Sequence, residues 1–207
     1  MHVITKFILA STAEHRKKLL QTTGLKFESI SPEDESEIEE VNALEKARKR
    51  SCFKALSISR REFDSIVLGA DQVLDCEGVI FSKPNSVAEA RKQLQFLSGK
   101  THRLWSGWAL SKSDMILSAE VSLCEITFRQ LKSEEIESYL KTSEWRGSCG
   151  SYKYEGAGVN LIEIARGEYS SIVGLPLTEI LGALRELKIN PLLQPHPPWY
   201  VNTQSTS

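Results

Sequence analysis

Apolar positions along this chain form short runs and alternations, and they divide it into closely spaced strands and helices. Val3 to Leu9 alternates loosely and predicts a first strand; Leu25 to Ile30 predicts a second. Ala43 to Ser57 consists of good helix formers and predicts a helix. The apolar run Ile66 to Leu68 then breaks at Gly69-Ala70 and presents Asp71 among apolar neighbours. A Cys76-Glu77-Gly78 turn leads into a second short run, which delivers Lys83 just before Pro84. Ser86-Val-Ala-Glu89 has the form of a capping box and opens a helix with Ala90, Leu94 and Leu97 on one face, closed at Ser98-Gly99. Thr101 to Ser111 and Met115 to Phe128 predict two long strands joined as a hairpin at Lys112-Ser-Asp114. Leu131 to Leu140 reads as a short amphipathic helix and Val159 to Ile164 as a strand. Ile172 to Leu177 reads as a tight turn into a closing helix, Thr178 to Leu187. Strands and helices in this order predict α/β or α+β architecture with a mixed sheet.

Composition narrows the class. With 207 residues, 41% hydrophobic and 26% charged, the chain can bury a sizeable core, expected as one domain over residues 1–190. Residues 191–207 are rich in Pro, Gln, Ser and Thr and read as a poorly ordered tail. A formal net charge of -1 argues against a nucleic-acid coat and against a membrane-surface binder. The start, Met1 to Ala10, carries Lys6 inside its apolar stretch and no charged region before it, so it reads as a core strand and not a signal peptide. Cys52, Cys76, Cys124 and Cys149 are scattered, without a CxxC pair or zinc spacing, and read as reduced thiols of a cytoplasmic protein.

Candidate chemistry begins with Asp71. An ionised carboxylate among apolar residues is strongly disfavoured unless compensated, so Asp71 requires a cation, a hydrogen-bond cage or a role; alternatively it caps a turn near Gly69. Ser11-Thr-Ala-Glu14 has the capping-box form, in which Ser11 accepts from the Glu14 amide at the start of a helix. On its own this segment reads as a strand, a cap and a helix; the alternative is that the helix start, with His15, Arg16 and Lys17, makes an anion site. The acidic stretch Pro32-Glu-Asp-Glu35 with Glu37, Glu39 and Glu40 is either a solvated loop or a source of inward carboxylates, Asp34 or Glu35, for a hard divalent cation. The helix after it carries Lys46, Arg48, Lys49, Arg50 and Lys54, mostly for solvent, with room for one to reach an anionic substrate. The segment Arg146 to Gly158 holds four glycines with Lys153 and Glu155, and reads either as a functional loop or as a glycine-rich hairpin.

Together these segments resemble the Maf family of nucleoside triphosphate pyrophosphatases, from Ile8 to about Pro191. The resemblance is carried by Leu9-Ala-Ser11 with Arg16 and Leu19-Leu20, Asp34-Glu35, Lys54-Ala55, Gly69-Ala-Asp71 and Lys83-Pro84. It continues through Leu97-Ser-Gly-Lys100 with His102, Gly150-Ser-Tyr with Glu155-Gly156, and Gly174-Leu-Pro-Leu177. It implies an elongated mixed α/β sheet flanked by helices around a central cleft, similar in shape to inosine triphosphate pyrophosphatases. It implies hydrolysis of a nucleoside triphosphate between the α and β phosphates, a divalent metal (Mg2+ or Mn2+), and a homodimer. By the same resemblance Asp71 is the general base and, with Glu35, places the metal; Ser11, Arg16, Lys54 and Lys83 grip phosphate. A different reading of the same resemblance is a nucleotide-binding regulator of cell division with little turnover.

Several positions depart from the family pattern. Ala13-Glu-His-Arg16 stands where most members have Ser-Pro-Arg-Arg, so His15 replaces a substrate-facing Arg. Ser82 replaces a glycine before Lys83-Pro84. Gln72 and Glu155 stand where pyrimidine-preferring members carry Thr and Gln, which resembles the branch that hydrolyses 7-methyl-GTP. In that branch a Trp stands at the position of His15. His15, Gln72 and Glu155 are thus the expected specificity residues; a carboxylate can accept from the N1–H and exocyclic amine of a guanine ring.

Overall fold

Strands β1 (Lys6–Ala10) and β3 (Ser65–Cys76) lie side by side in parallel and form the axis on which the rest of the sheet is assembled. The structure is a computed structural model that describes residues 6–33 and 42–193. The acidic residues Asp34, Glu35, Glu37, Glu39 and Glu40, and the tail from residue 194 onward, lie outside the described residues.

A short strand β2 (Glu28–Ser29) extends the parallel side, pairing with β1. On the other side β5 (Thr101–Lys112), β6 (Met115–Phe128) and β7 (Ile162–Arg166) follow antiparallel, and β4 (Val79–Phe81) folds back on the end of β3. Among the described residues this gives a seven-stranded mixed sheet in the order β2-β1-β3-β5-β6-β7, with β4 on β3. Helices α1 (Glu14–Gln21), α2 (Ala43–Ser59), α3 (Val87–Leu97), α4 (Ser133–Leu140), α5 (Tyr169–Ile172) and α6 (Leu177–Glu186) flank it. The mixed α/β class expected from the element order is what is observed. No helix among the described residues is long and apolar enough to cross a membrane, and all four cysteines are free thiols.

Alternation along β3 assigns the two faces of the sheet. Val67, Gly69, Asp71 and Val73 face α2, where Ile58 and Ala47 pack. Ile66, Leu68 and Ala70 face the opposite way, into a core shared with Leu20 of α1 and Ile180 and Leu184 of α6. Leu74 and Cys76 continue that same face into a second core, with Leu94 and Leu97 of α3 and Ile136 and Leu140 of α4. Among the described residues, one face therefore carries the long helix α2, and the other carries two hydrophobic cores end to end along β3.

Several sequence expectations change here. Gly69-Ala70 does not break the strand: β3 runs through it for 12 residues, and Asp71 caps no turn. The glycine is needed because α2 lies directly on the strand, and a Cβ at Gly69 would collide with the Ser51 carbonyl oxygen and the Ala55 amide. Leu25 to Ile30 shrinks to the two residues of β2, because only Glu28 and Ser29 come opposite β1. The strand expected from Val159 begins only at Ile162. Its first part, Ala157–Leu161, is a 3-10 turn, fixed by the Glu144 carboxylate, which accepts from the Ala157 and Gly158 amides at 3.1 and 3.3 Å. Helix α5 was not visible in the sequence pattern. The two hairpin turns are as expected: Glu77-Gly78 and Ser113-Asp114 are two-residue loops with positive φ at both positions.

Candidate active site

The site forms where β3 outlasts its neighbour. β1 pairs with β3 only as far as Ala10 opposite Gly69, and β4 takes up the same edge only from Leu74 opposite Phe81. Between them, Ala70–Val73 has no strand partner on that edge among the described residues, while β5 covers the other edge. The chain leaving β1 supplies Ser11 to Arg16 to one side of this gap, and the chain leaving β4 supplies Ser82 and Lys83 to the other. A crevice at the carboxyl end of a strand whose connections diverge is where ligands bind in open α/β sheets. Here it is a cleft of about 1350 Å³.

At its floor Lys54 donates to Asp71 Oδ1 at 2.6 Å, and both side chains are almost fully buried. Of the three possibilities the sequence left open, Asp71 has a compensating cation. The contact depends on how closely α2 lies on the sheet. Gly107 of β5 stands opposite Asp71, and a Cβ there would meet the Ala47 carbonyl just as one at Gly69 would meet Ser51. Two glycines on adjacent strands thus let the helix backbone rest on the sheet, which brings Lys54 within reach of Asp71. Breaking such a buried pair by removing one partner leaves an uncompensated charge and is strongly destabilising.

The α1 side differs from its sequence reading in one respect. Helix α1 opens with Ala13 as its N-cap, and the Ser11 hydroxyl accepts from the Ala13 amide at 3.2 Å, not from Glu14. Ser29 donates to the Ser11 carbonyl and holds Ser11 two residues ahead of the N-cap, out of capping position. Arg16 is buried and its Nε donates to the Gly174 carbonyl at 2.9 Å, which fixes the guanidinium at the cleft wall. His15 lies beside it with its pKa lowered to about 4, first by burial and then by the charges of Arg16, Lys153 and Lys83. Above pH 4 it is a neutral imidazole in a cationic setting.

The remaining wall comes from the segment Glu144 to Gly156. Gln93 of α3 donates to the Ser82 carbonyl at 3.0 Å and accepts from the Ser151 hydroxyl at 2.6 Å, linking the Lys83 turn to this segment. Lys83 and Glu155 are both exposed at the cleft surface. Gln72 sits on the other face of β3 from Asp71, at the junction of the two cores. Its Nε2 is within 2.8–3.0 Å of Ser106 Oγ and the carbonyls of Ser171 and Ile172. Burial pushes the Cys149 thiol pKa up, and Asp71 adds to this while Lys83, Arg16 and Arg50 oppose it.

Ser11, His15, Arg16, Lys54, Asp71, Gln72, Lys83 and Glu155 therefore all line one cleft, and Glu35 lies outside the described residues. Lys46 and Arg50, named in the sequence only among the mostly solvent-facing cations of this helix, line it too, as do Cys149 and Tyr152, which were given no site role. The spacing of Lys46, Arg50 and Lys54, four residues apart on one helix stripe, is the signal that could have found the first two. Among the described residues no group of three or more His, Cys, Asp or Glu side chains could hold a metal ion. Asp71, with one oxygen turned to Lys54, fits a hard cation held by one or two carboxylates and by phosphate oxygens, not an all-protein cage.

Comparison with known proteins gives a consistent picture. Residues 6–187 match the Maf-like protein family. A dTTP/UTP pyrophosphatase of Bacillus cereus (strain ZK / E33L) is 36% identical over 186 residues, covering 89% of this chain and 97% of the relative. A 7-methyl-GTP pyrophosphatase of Bartonella henselae is 38% identical over 189 residues, covering 88% and 96%. A solved nucleoside-triphosphatase / dITP/XTP pyrophosphatase from Mycobacterium abscessus aligns over 91% of this chain and 98% of its own, at 15% identity and a TM-score of 0.36, too distant to bear on the assignment.

Proposed function

The chain belongs to the Maf-like protein family, and from that premise we propose that it is a nucleoside triphosphate pyrophosphatase. Water attacks the α phosphorus, the α–β anhydride breaks, and the products are a nucleoside monophosphate and pyrophosphate. The observation that carries this reading is the buried Asp71–Lys54 pair at the floor of a cation-lined cleft. Asp71 accepts the proton of the attacking water. Lys54, 2.6 Å away, holds the carboxylate oriented for that task. Arg16 and Lys83, on opposite walls, hold the phosphates and offset the charge that develops on the leaving group. Ser11 offers its hydroxyl at the same wall.

A Mg2+ or Mn2+ ion belongs to this reading; Asp71 and Glu35, with substrate oxygens, would hold it, and it would supply charge to neutralise the phosphates. For the base, Glu155 is exposed at the cleft and can accept from the N1–H and exocyclic amine of guanine. Neutral His15 offers a flat ring for stacking. Gln72, with its amide nitrogen directed at Ser106, Ser171 and Ile172, acts by fixing the floor beneath the base more than by donating to it. These features favour 7-methyl-GTP as the substrate.

Asp71→Asn is the deciding variant. It is expected to reduce metal-dependent pyrophosphate release per folded molecule by about a hundredfold or more, read beside a thermal melt because the substitution also unpairs the buried Lys54. Release of orthophosphate by the wild-type protein would overturn the α–β cleavage. A panel of 7-methyl-GTP, GTP, UTP, dTTP and CTP tests the base: a preference for UTP or dTTP would remove Glu155 from its role and leave the mechanism standing.

A further inference from the structure

We propose that Arg50 is a further phosphate ligand of this cleft, gripping the polyphosphate through its guanidinium; the inference rests on the triphosphate reading of the site. Lys46, Arg50 and Lys54 form one stripe of α2, and all three line the cleft. The adjacent stripe, Ala43, Ala47, Ser51 and Ala55, is buried and small, and it takes the contact with the sheet. That division turns the cationic stripe toward the cleft. At its inner end Lys54 is engaged by Asp71.

One helical turn away, Arg50 Nε is shielded from solvent and meets no hydrogen-bond partner among the described residues. A buried guanidinium N–H without an acceptor is costly, and native proteins leave few such groups unmet. Arg50 also belongs to the same charged centre as Asp71, Lys83 and Arg16, since all four act on the Cys149 thiol. Arg50 lies roughly 6 Å along the helix axis from Lys54, four residues at ~1.5 Å each, so one extended anion can touch both. The anion that fits is a polyphosphate. A planar guanidinium binds phosphate through paired N–H groups, and its charge has no counterpart on this stripe. Base recognition would use the wall bearing Glu155 instead.

The test compares wild type with Arg50→Gln and Arg50→Lys, using inorganic tripolyphosphate as the probe in calorimetry and the parent nucleoside as the control. For Arg50→Gln we expect tripolyphosphate binding to weaken roughly tenfold to a hundredfold, the loss of a charge-assisted hydrogen bond. KM for the triphosphate should rise in step, kcat should change little, and nucleoside binding should stay as it was. Arg50→Lys should recover only part, because it keeps the charge and loses the planar, multi-donor guanidinium. Equal tripolyphosphate binding by wild type and a variant of equal melting temperature would overturn the inference, as would equal weakening of nucleoside and tripolyphosphate. Loss of tripolyphosphate binding in a protein whose wild type turns over no triphosphate would uphold the Arg50 site and refute the enzymatic reading instead.

Discussion

At the scale of single residues, burial holds two histidines neutral in different settings. His15 is buried in the cleft, where the cations Arg16, Lys153 and Lys83 add to the effect, whereas His102 is buried in the second core between the rings of Phe128 and Tyr152. His102 Nε2 is 2.8 Å from the Tyr152 hydroxyl, and its Nδ1 has no partner among the described residues. Burial lowers its pKa to about 4. In the unfolded chain it titrates near its usual ~6.5. Between those values the unfolded state binds more protons, so stability rises with pH, is complete above ~6.5 and is lost as pH falls through 4. Urea unfolding at pH 7 and pH 5 should show His102 alone accounting for a loss of the order of 2 kcal/mol. His102→Gln, which cannot titrate, should lose correspondingly less over that interval; parallel pH profiles for the two proteins would refute the buried neutral imidazole. The sequence drew attention to Asp71 because a carboxylate among apolar residues demands an explanation. It could not say which explanation held, since the answer lay 17 residues earlier in Lys54, on an element whose orientation the pattern does not specify.

Among the elements, the contact of α2 with β3 and β5 governs the site. The helix rests on Gly69 and Gly107, and its height over the sheet sets the reach of Lys54. Gly69→Ala should lift the helix, cost about 1–3 kcal/mol as other overpacked sites do, and depress turnover well beyond what the loss of folded protein explains. Gly78→Asn is the matched control: its φ is +82°, the space around it is open, and both stability and turnover should stay near wild type. Thermal melts alongside pyrophosphate release separate the two effects. Most elements were legible in the sequence because β5, β6, α2 and α3 carry long, regular patterns with clear ends. Gly69 misled because a glycine in an apolar run looks the same whether it turns the chain or admits a helix. The 3-10 turn at Ala157–Leu161 misled because its cause, the Glu144 carboxylate, is a tertiary contact.

For the whole molecule, the two cores share one face of β3 and the cleft opens along its edge between them. One side of the cleft belongs to β1 and α1, the other to β4, the turn after it and the segment Glu144 to Gly156. A polyphosphate that bridges Arg16 and Lys83 ties these parts together. Binding of a non-hydrolysable triphosphate should therefore slow amide exchange on both sides at once, in Ser11–Arg16 and in Arg146–Gly156, and raise the melting temperature with ligand concentration. Protection confined to one side would refute a bridging ligand. The gap in pairing at Ala70–Val73 among the described residues also bears on what can add to that edge of the sheet. An unpaired strand edge invites another chain to add to the sheet. This one is about 13 Å long, four residues at ~3.3 Å each, with β1 ending at one limit and β4 beginning at the other. A strand of ordinary length does not fit a slot so short. The backbone that faces the cleft is thus offered to a small ligand and withheld from self-association.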